Sequence, residues 1–201
     1  MSWIKIIPFD EATGKLKTLY NRVKGPNNQI DNVLSIHSLR PHTLAGHMSL
    51  YKNVLHHSDN TFDNWFLELL GTYTSFINNC DYCFEHHFEG MKKFLNDDVK
   101  AAQLKEQIIN DCFTEILSNK EIFLINYAKR LTLAPSSFKK EDIDRLKNIG
   151  VNDGELLEIN QVVSYFNYVN RTVLGLGINT SNEIIGLSPK NKGSDNLWTH
   201  E

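Results

Sequence analysis

Apolar residues return at every third or fourth position through nearly the whole chain, and this spacing leaves little choice of fold class. Leu44, Met48, Tyr51 and Leu55 recur at that interval between Pro41 and His57, the signature of one helix face. From near Thr61, a more strongly apolar helix carries Phe62, Trp65, Phe66, Leu69, Leu70, Tyr73 and Phe76, and a further helix runs from about Cys80 to Leu95. Asp10 is placed to cap a first helix with Leu16, Leu19, Tyr20 and Val23, stopped by Gly25-Pro26. A short helical run with Val33, Leu34 and Ile36 follows Asp31. In the second half, Leu104, Ile108, Ile109, Cys112, Phe113, Ile116 and Leu117 read as one continuous stripe. Ile122, Ile125, Ala128 and Leu131 form the next, up to Pro135. A short helix from Glu141 to Asn148 closes at Gly150, and Asn152 with Glu155 opens a long last helix through Leu174 as a capping box. No strand-like alternation or Asn-Gly hairpin interrupts this pattern. The expectation is an all-α protein: one helical domain over residues 1–179 and an irregular arm over 180–201. That arm is rich in Ser, Asn, Gly, Lys and Pro but keeps Ile184, Ile185, Leu187 and Trp198, which suits it to docking on a neighbouring subunit.

Composition narrows the function classes. Hydrophobic residues make up 41% and charged residues 22% of 201 residues, enough for one sizeable core and not the balance of a disordered chain. A net charge of −3 gives no electrostatic reason to expect nucleic acid or an anionic membrane as partner. The start, MSWIKIIPFDEATGK, does not read as a secretion signal, and no apolar run reaches membrane-spanning length. Cys80, Cys83 and Cys112 are the three cysteines. So few, in an odd number, argue against a disulfide scaffold and for a reducing, cytoplasmic setting.

The chemistry concentrates in Cys80-Asp81-Tyr82-Cys83-Phe84-Glu85-His86-His87. On a helix Cys80, Cys83 and His87 share an arc of roughly 60°, so two thiols and an imidazole lie on one stripe. Such a stripe is a dithiol redox site or a metal half-site. A helix N-terminus, an imidazole and the C-x-x-C context each favour the thiolate that peroxide reduction needs. Asn78-Asn79 offers a break and cap that would place both thiols in the first turn of the following helix. His87 is four residues from Cys83 and two turns from Cys80, which makes Cys83 the attacking thiol, Cys80 its resolving partner in a disulfide, and His87 the activator. Glu68 is placed to orient His87. On one straight helix Glu68 and Cys83 would stand roughly 22 Å apart, so this role requires the chain to reverse near Asn78-Asn79.

The motif Glu68, Cys80, Cys83, His87 resembles the E…C-x-x-C-x-x-x-H signature of the alkylhydroperoxidase D-like family within the carboxymuconolactone decarboxylase superfamily. The stretches NNCDYCFEHH, VVSYFNYVNRTVLGLGI and LRPHTLAGHMSLYKNVLH are similar to its peroxidase-related branch. The resemblance implies an all-helical fold, homo-oligomers (trimers, or hexamers built from them), and hydroperoxide reduction. It implies Glu68, Cys80, Cys83 and His87 as the catalytic set, a redox-active Cys80–Cys83 disulfide with no other cofactor, and a lipoyl-protein or thioredoxin-like dithiol as reductant. Tyr82 stands where well-studied members carry a histidine. With a pKa of about 10 it is no neutral-pH base, but its hydroxyl can donate a hydrogen bond to a peroxide oxygen.

Other readings compete. Cys80, Cys83 and His87 with one of His47, His56, His57 or His86 would make a zinc staple for a helical binding module, and a decarboxylase of the same superfamily would not depend on the thiols. Phe84 occupies the histidine position that covalent haem attachment needs. His86 is expected to face solvent or a subunit, Cys112 to be inert core, and Glu158 to be structural. A weak echo at an offset of ninety positions pairs Glu68 with Glu158, Phe76 with Phe166, Cys80 with Asn170 and Cys83 with Val173.

Overall fold

The computed structural model describes residues 2–114 and 116–187. Among them are helices and short 3-10 turns and no strand. The α-helices are α1 (Gly14–Val23), α2 (Asn32–Ser35), α3 (Pro41–Leu55), α4 (Asn64–Ile77), α5 (Asp81–Leu95), α6 (Asp98–Ile109), α7 (Asn119–Leu133), α8 (Lys140–Asn148) and α9 (Asp153–Leu176).

The fold is organised around α4. Every residue from Phe66 to Ser75 is buried, so this helix is covered on all sides, as expected of one apolar around its circumference. α5, α7 and α9 pack on it, and α3 closes the bundle against α9. Its polar members are absorbed locally: Thr72 Oγ1 donates to the Glu68 carbonyl and Ser75 Oγ to the Gly71 carbonyl, each at 2.8 Å. Gly71 lets α9 come close. A Cβ there would lie 2.0 Å from Cζ of the fully buried Phe166.

The chain reverses after α4, as a role for Glu68 requires. Asn79 takes a left-handed conformation at φ 54°. Cys80 N–H then bonds the Ser75 carbonyl at 2.9 Å and Asn79 N–H the Phe76 carbonyl at 3.0 Å. These two bonds form a Schellman turn. The cap of α5 is Cys80 itself rather than Asn78-Asn79, and Cys83 sits in the first turn.

Several boundaries differ from the sequence reading. Thr13, not Asp10, precedes α1, and Asp10 lies in a 3-10 turn. The stripe from Leu104 to Leu117 is broken at Asn110-Asp111. Asp111 is left-handed at φ 51° and Cys112 N–H returns to the Gln107 carbonyl. Cys112 is therefore outside the helix and exposed, not core. Asp111 is held there by Tyr73 Oη at 2.5 Å and by an ion pair with Lys129. The capping box of Asn152 and Glu155 is present. Glu158 accepts from the backbone N–H groups of Thr61 and Phe62, a structural role at the entry to α4.

Residues 179–187 turn back over α2 and α5 of the same chain. The rest of the expected arm, including Trp198, lies outside the described residues.

Candidate active site

The antiparallel run of α4 and α5 brings Glu68 to His87. His87 Nδ1 and Glu68 Oε2 are 2.6 Å apart. Because a carboxylate only accepts, His87 carries its proton on Nδ1 and leaves Nε2 as the basic nitrogen of the neutral ring. Gly90 makes room for this pair, since a Cβ there would stand 3.2 Å from the Glu68 carboxyl carbon. The second oxygen, Glu68 Oε1, faces His56 Nε2 at 3.9 Å. Glu68 thus lies between two imidazoles with only 2% of its side chain exposed. The Phe166 and His87 rings pack edge to face, with centroids 4.5 Å apart at 86°. One aromatic side chain therefore fills the space over Gly71 and holds the histidine plane.

Both thiols are buried and reduced. Cys83 Sγ–H donates to Cys80, which holds the Cys80 thiol below the ordinary range against the opposing effect of burial, with help from Asn170. Cys83 is pushed well above the ordinary thiol range, first by burial and then by donating its proton to Cys80. The resting pair therefore keeps a proton on Cys83 and concentrates thiolate character on Cys80. Asn170 is oriented by Ser75 Oγ at 3.0 Å and by Asn78 Nδ2 at 2.9 Å. In the ninety-position echo Asn170 is the counterpart of Cys80, and the packing of α4 on α9 brings the two together.

Cys83, His87 and Glu68 line one cavity of about 50 Å³. Tyr51, Tyr82 and Tyr165 also line it, and burial raises all three phenols well above their usual range. They are therefore neutral hydroxyls near neutral pH. Cys80 does not line this cavity. It lies beneath a separate recess of about 320 Å³ bordered by Asp81, Glu85, Val173 and Leu174.

Two of the side chains singled out from sequence sit differently from expectation. Tyr82 borders the cavity, but its hydroxyl accepts from Val33 N–H at 3.2 Å and donates to Glu183. His86 lines the cavity rather than facing solvent, with Nε2 2.6 Å from Glu183 Oε1. His47 also lines the cavity, while His57 is on the surface beside Asp59. Among the described residues, no three His, Cys, Asp or Glu side chains converge as a metal-ligating group. Sequence spacing alone does not mark His56, Asn170 or Glu183 as members of the dithiol site. Only Asn170 carries a signal, in the internal echo.

No family profile matches the sequence and no curated protein matches it. Solved structures do match in shape. An uncharacterised peroxidase-related protein from Ralstonia eutropha, described as an alkylhydroperoxidase AhpD core, superposes with a TM-score of 0.74 at 14% identity, covering 90% of this chain and 93% of its own. A peroxidase-related protein from a Silicibacter species gives 0.66 at 19% identity over 76% and 78% of the two chains. The debrominase Bmp8, solved with 2,3,4-tribromopyrrole, gives 0.64 at 13% identity over 84% of each. The chain thus has the all-helical alkylhydroperoxidase D fold. Among the described residues no helix is long and apolar enough to cross a membrane.

Proposed function

We propose that the protein is a thiol-dependent hydroperoxide reductase in which Cys80 and Cys83 cycle between dithiol and disulfide. One observation carries this reading: Cys83 shares a cavity with the bonded pair His87 and Glu68, while Cys80 contacts Cys83 and does not line that cavity. A hydroperoxide in that cavity meets Cys83 and not Cys80.

The residues then act in sequence. His87 Nε2 takes the Cys83 proton as the Cys83 sulfur attacks the terminal peroxide oxygen. Glu68, bonded to Nδ1, stabilises the imidazolium that forms. The O–O bond breaks, and the departing alkoxide takes the proton from His87 and leaves as alcohol. Cys83 is now a sulfenic acid. The Cys80 thiolate attacks its sulfur and hydroxide leaves, gaining a proton to become water. A dithiol reductant restores the pair by two exchange steps and is itself oxidised to a disulfide. The neutral phenols of Tyr51 and Tyr165, which also line the cavity, can donate hydrogen bonds to the substrate without competing for protons. A lipoyl-protein or thioredoxin-like dithiol suits the reductant role, a reducing cytoplasm suits the resting dithiol, and a trimer or hexamer built from trimers suits the fold.

The depressed Cys80 supports a second reading in which Cys80 is the attacking thiol, reached from the outer recess. Single-turnover oxidation separates the two. With Cys83 attacking, Cys80→Ser gives one burst of sulfenic acid per chain without recycling, and Cys83→Ser gives none. A burst retained in Cys83→Ser and lost in Cys80→Ser assigns the attack to Cys80. Wild-type turnover in both variants would rule out dithiol chemistry.

A further inference from the structure

The segment after α9 is fastened to the elements that line the Cys83 cavity by one of its carboxylates, Glu183. Glu183 has 1% of its side chain exposed. Its oxygens accept from Asn32 N–H at 2.6 Å, from His86 Nε2 at 2.6 Å and from the Tyr82 hydroxyl. Asn32 opens α2, whereas Tyr82 and His86 belong to α5, so one side chain staples together two elements that both line the cavity. The backbone around it is fixed as well. Asn32 Nδ2 donates to the carbonyls of Asn179 and Ser181. Gly186 N–H donates to His86 Nδ1 at 3.4 Å, and Lys93 Nζ donates to the Gly186 carbonyl at 2.6 Å. Gly186 has φ 76°, and a Cβ there would lie 2.5 Å from Glu89 Cβ, so the strap lies directly on α5. It delivers Leu187 to the cavity lining.

With the strap seated, the cavity measures about 50 Å³. Roughly 10–15 Å³ of volume measured in this way admits one water. The space beside Cys83 therefore takes a few water-sized groups, enough for hydrogen peroxide or a short alkyl hydroperoxide and too small for an aryl one. Tyr82 and His86 are committed to holding Glu183, which accounts for their side chains pointing inward without joining the proton path.

We infer that Glu183 is a specificity-determining residue: by latching the strap of residues 179–187 to Tyr82, His86 and Asn32, it restricts the Cys83 cavity to small hydroperoxides. This rests on the hydroperoxide reductase reading above, but the latch is testable without it.

The test uses the full chain and compares wild type with Glu183→Ala, Glu183→Gln and Lys93→Ala, the last loosening the strap from an exposed position. Alkylation of Cys83 by iodoacetamide and by N-pyrenylmaleimide is followed by peptide mass spectrometry. Single-turnover oxidation by hydrogen peroxide and by cumene hydroperoxide is measured alongside. The rate ratio of small to bulky reagent is expected to fall at least tenfold in Glu183→Ala, and in the same direction in Lys93→Ala. Cumene hydroperoxide should gain at least tenfold while hydrogen peroxide stays within threefold. If Glu183→Ala does not fold, Lys93→Ala decides. Alkylation ratios within twofold of wild type in every folded variant overturn the latch. A collapsed alkylation ratio with no oxidation by either hydroperoxide keeps the latch and refutes the reductase. Oxidation by hydrogen peroxide with unchanged ratios does the reverse.

Discussion

Replacing Glu68 with glutamine separates charge from shape at the centre of the proposed relay. The amide of Glu68→Gln would fill the same space beside Gly90, and its carbonyl oxygen could still accept from His87 Nδ1–H, so the basic nitrogen would keep facing the cavity. What is lost is the negative charge 2.6 Å from a ring that must become positive as Cys83 ionises. A hydrogen bond to a charged partner contributes about 1.5–3 kcal/mol. At about 1.4 kcal/mol per factor of ten, the rate of Cys83 oxidation should fall roughly 10- to 150-fold. The environment favours that range over a smaller one. Glu68 is 2% exposed, so solvent does not screen the pair as it would on the surface. The nearby His56, 3.9 Å from the other oxygen, does not replace a negative charge. The assay is stopped-flow single-turnover oxidation by hydrogen peroxide, with sulfenic acid and disulfide quantified by mass spectrometry. A Glu68→Gln rate within twofold of wild type would refute the relay.

Other perturbations probe the supports of the site. Gly71→Ala puts a methyl group where Phe166 now lies at 2.0 Å; overpacking of this kind costs about 1–3 kcal/mol. Urea unfolding should show that loss, and oxidation should slow because Phe166 also holds His87. Asn170→Ala removes a hydrogen bond that lowers Cys80, so the thiolate absorbance near 240 nm, taken as the difference from Cys80→Ser, should appear at higher pH than in wild type. Asp111 is depressed by its bonds to Lys129 and Tyr73. Its contribution is present above the unfolded carboxyl pKa of about 3.9 and is lost as pH falls through the lower folded value. Asp111→Asn should therefore narrow the difference in urea stability between pH 7 and pH 3.

Local information makes the dithiol legible in sequence. The i, i+3 and i+4 relations of Cys80, Cys83 and His87 follow from helix geometry alone, and the two asparagines before Cys80 mark the reversal that Glu68 needs. Features that depend on distant chain crossings are harder to read. Glu183 lies about a hundred positions from Tyr82 and His86, and no periodicity connects a turn segment to a helix. His86 defies its sequence reading for that reason: its angle on α5 suits solvent until the strap covers it. Cys112 does so for a different cause. Apolar spacing continues across Asp111, whose left-handed backbone ends α6 without glycine or proline to announce it. Asn170 is the intermediate case, where a faint internal echo points to the side chain that packing of α4 on α9 delivers to the thiols.

The proposed function stands on Cys80 and Cys83 acting together on a hydroperoxide while Cys112 does not. Free thiols counted before and after one equivalent of hydrogen peroxide, with peptide mapping of the product, address this directly. Two of the three thiols per chain should disappear into a Cys80–Cys83 disulfide while Cys112 remains free. Retention of both Cys80 and Cys83 as thiols, or oxidation confined to Cys112, would contradict it.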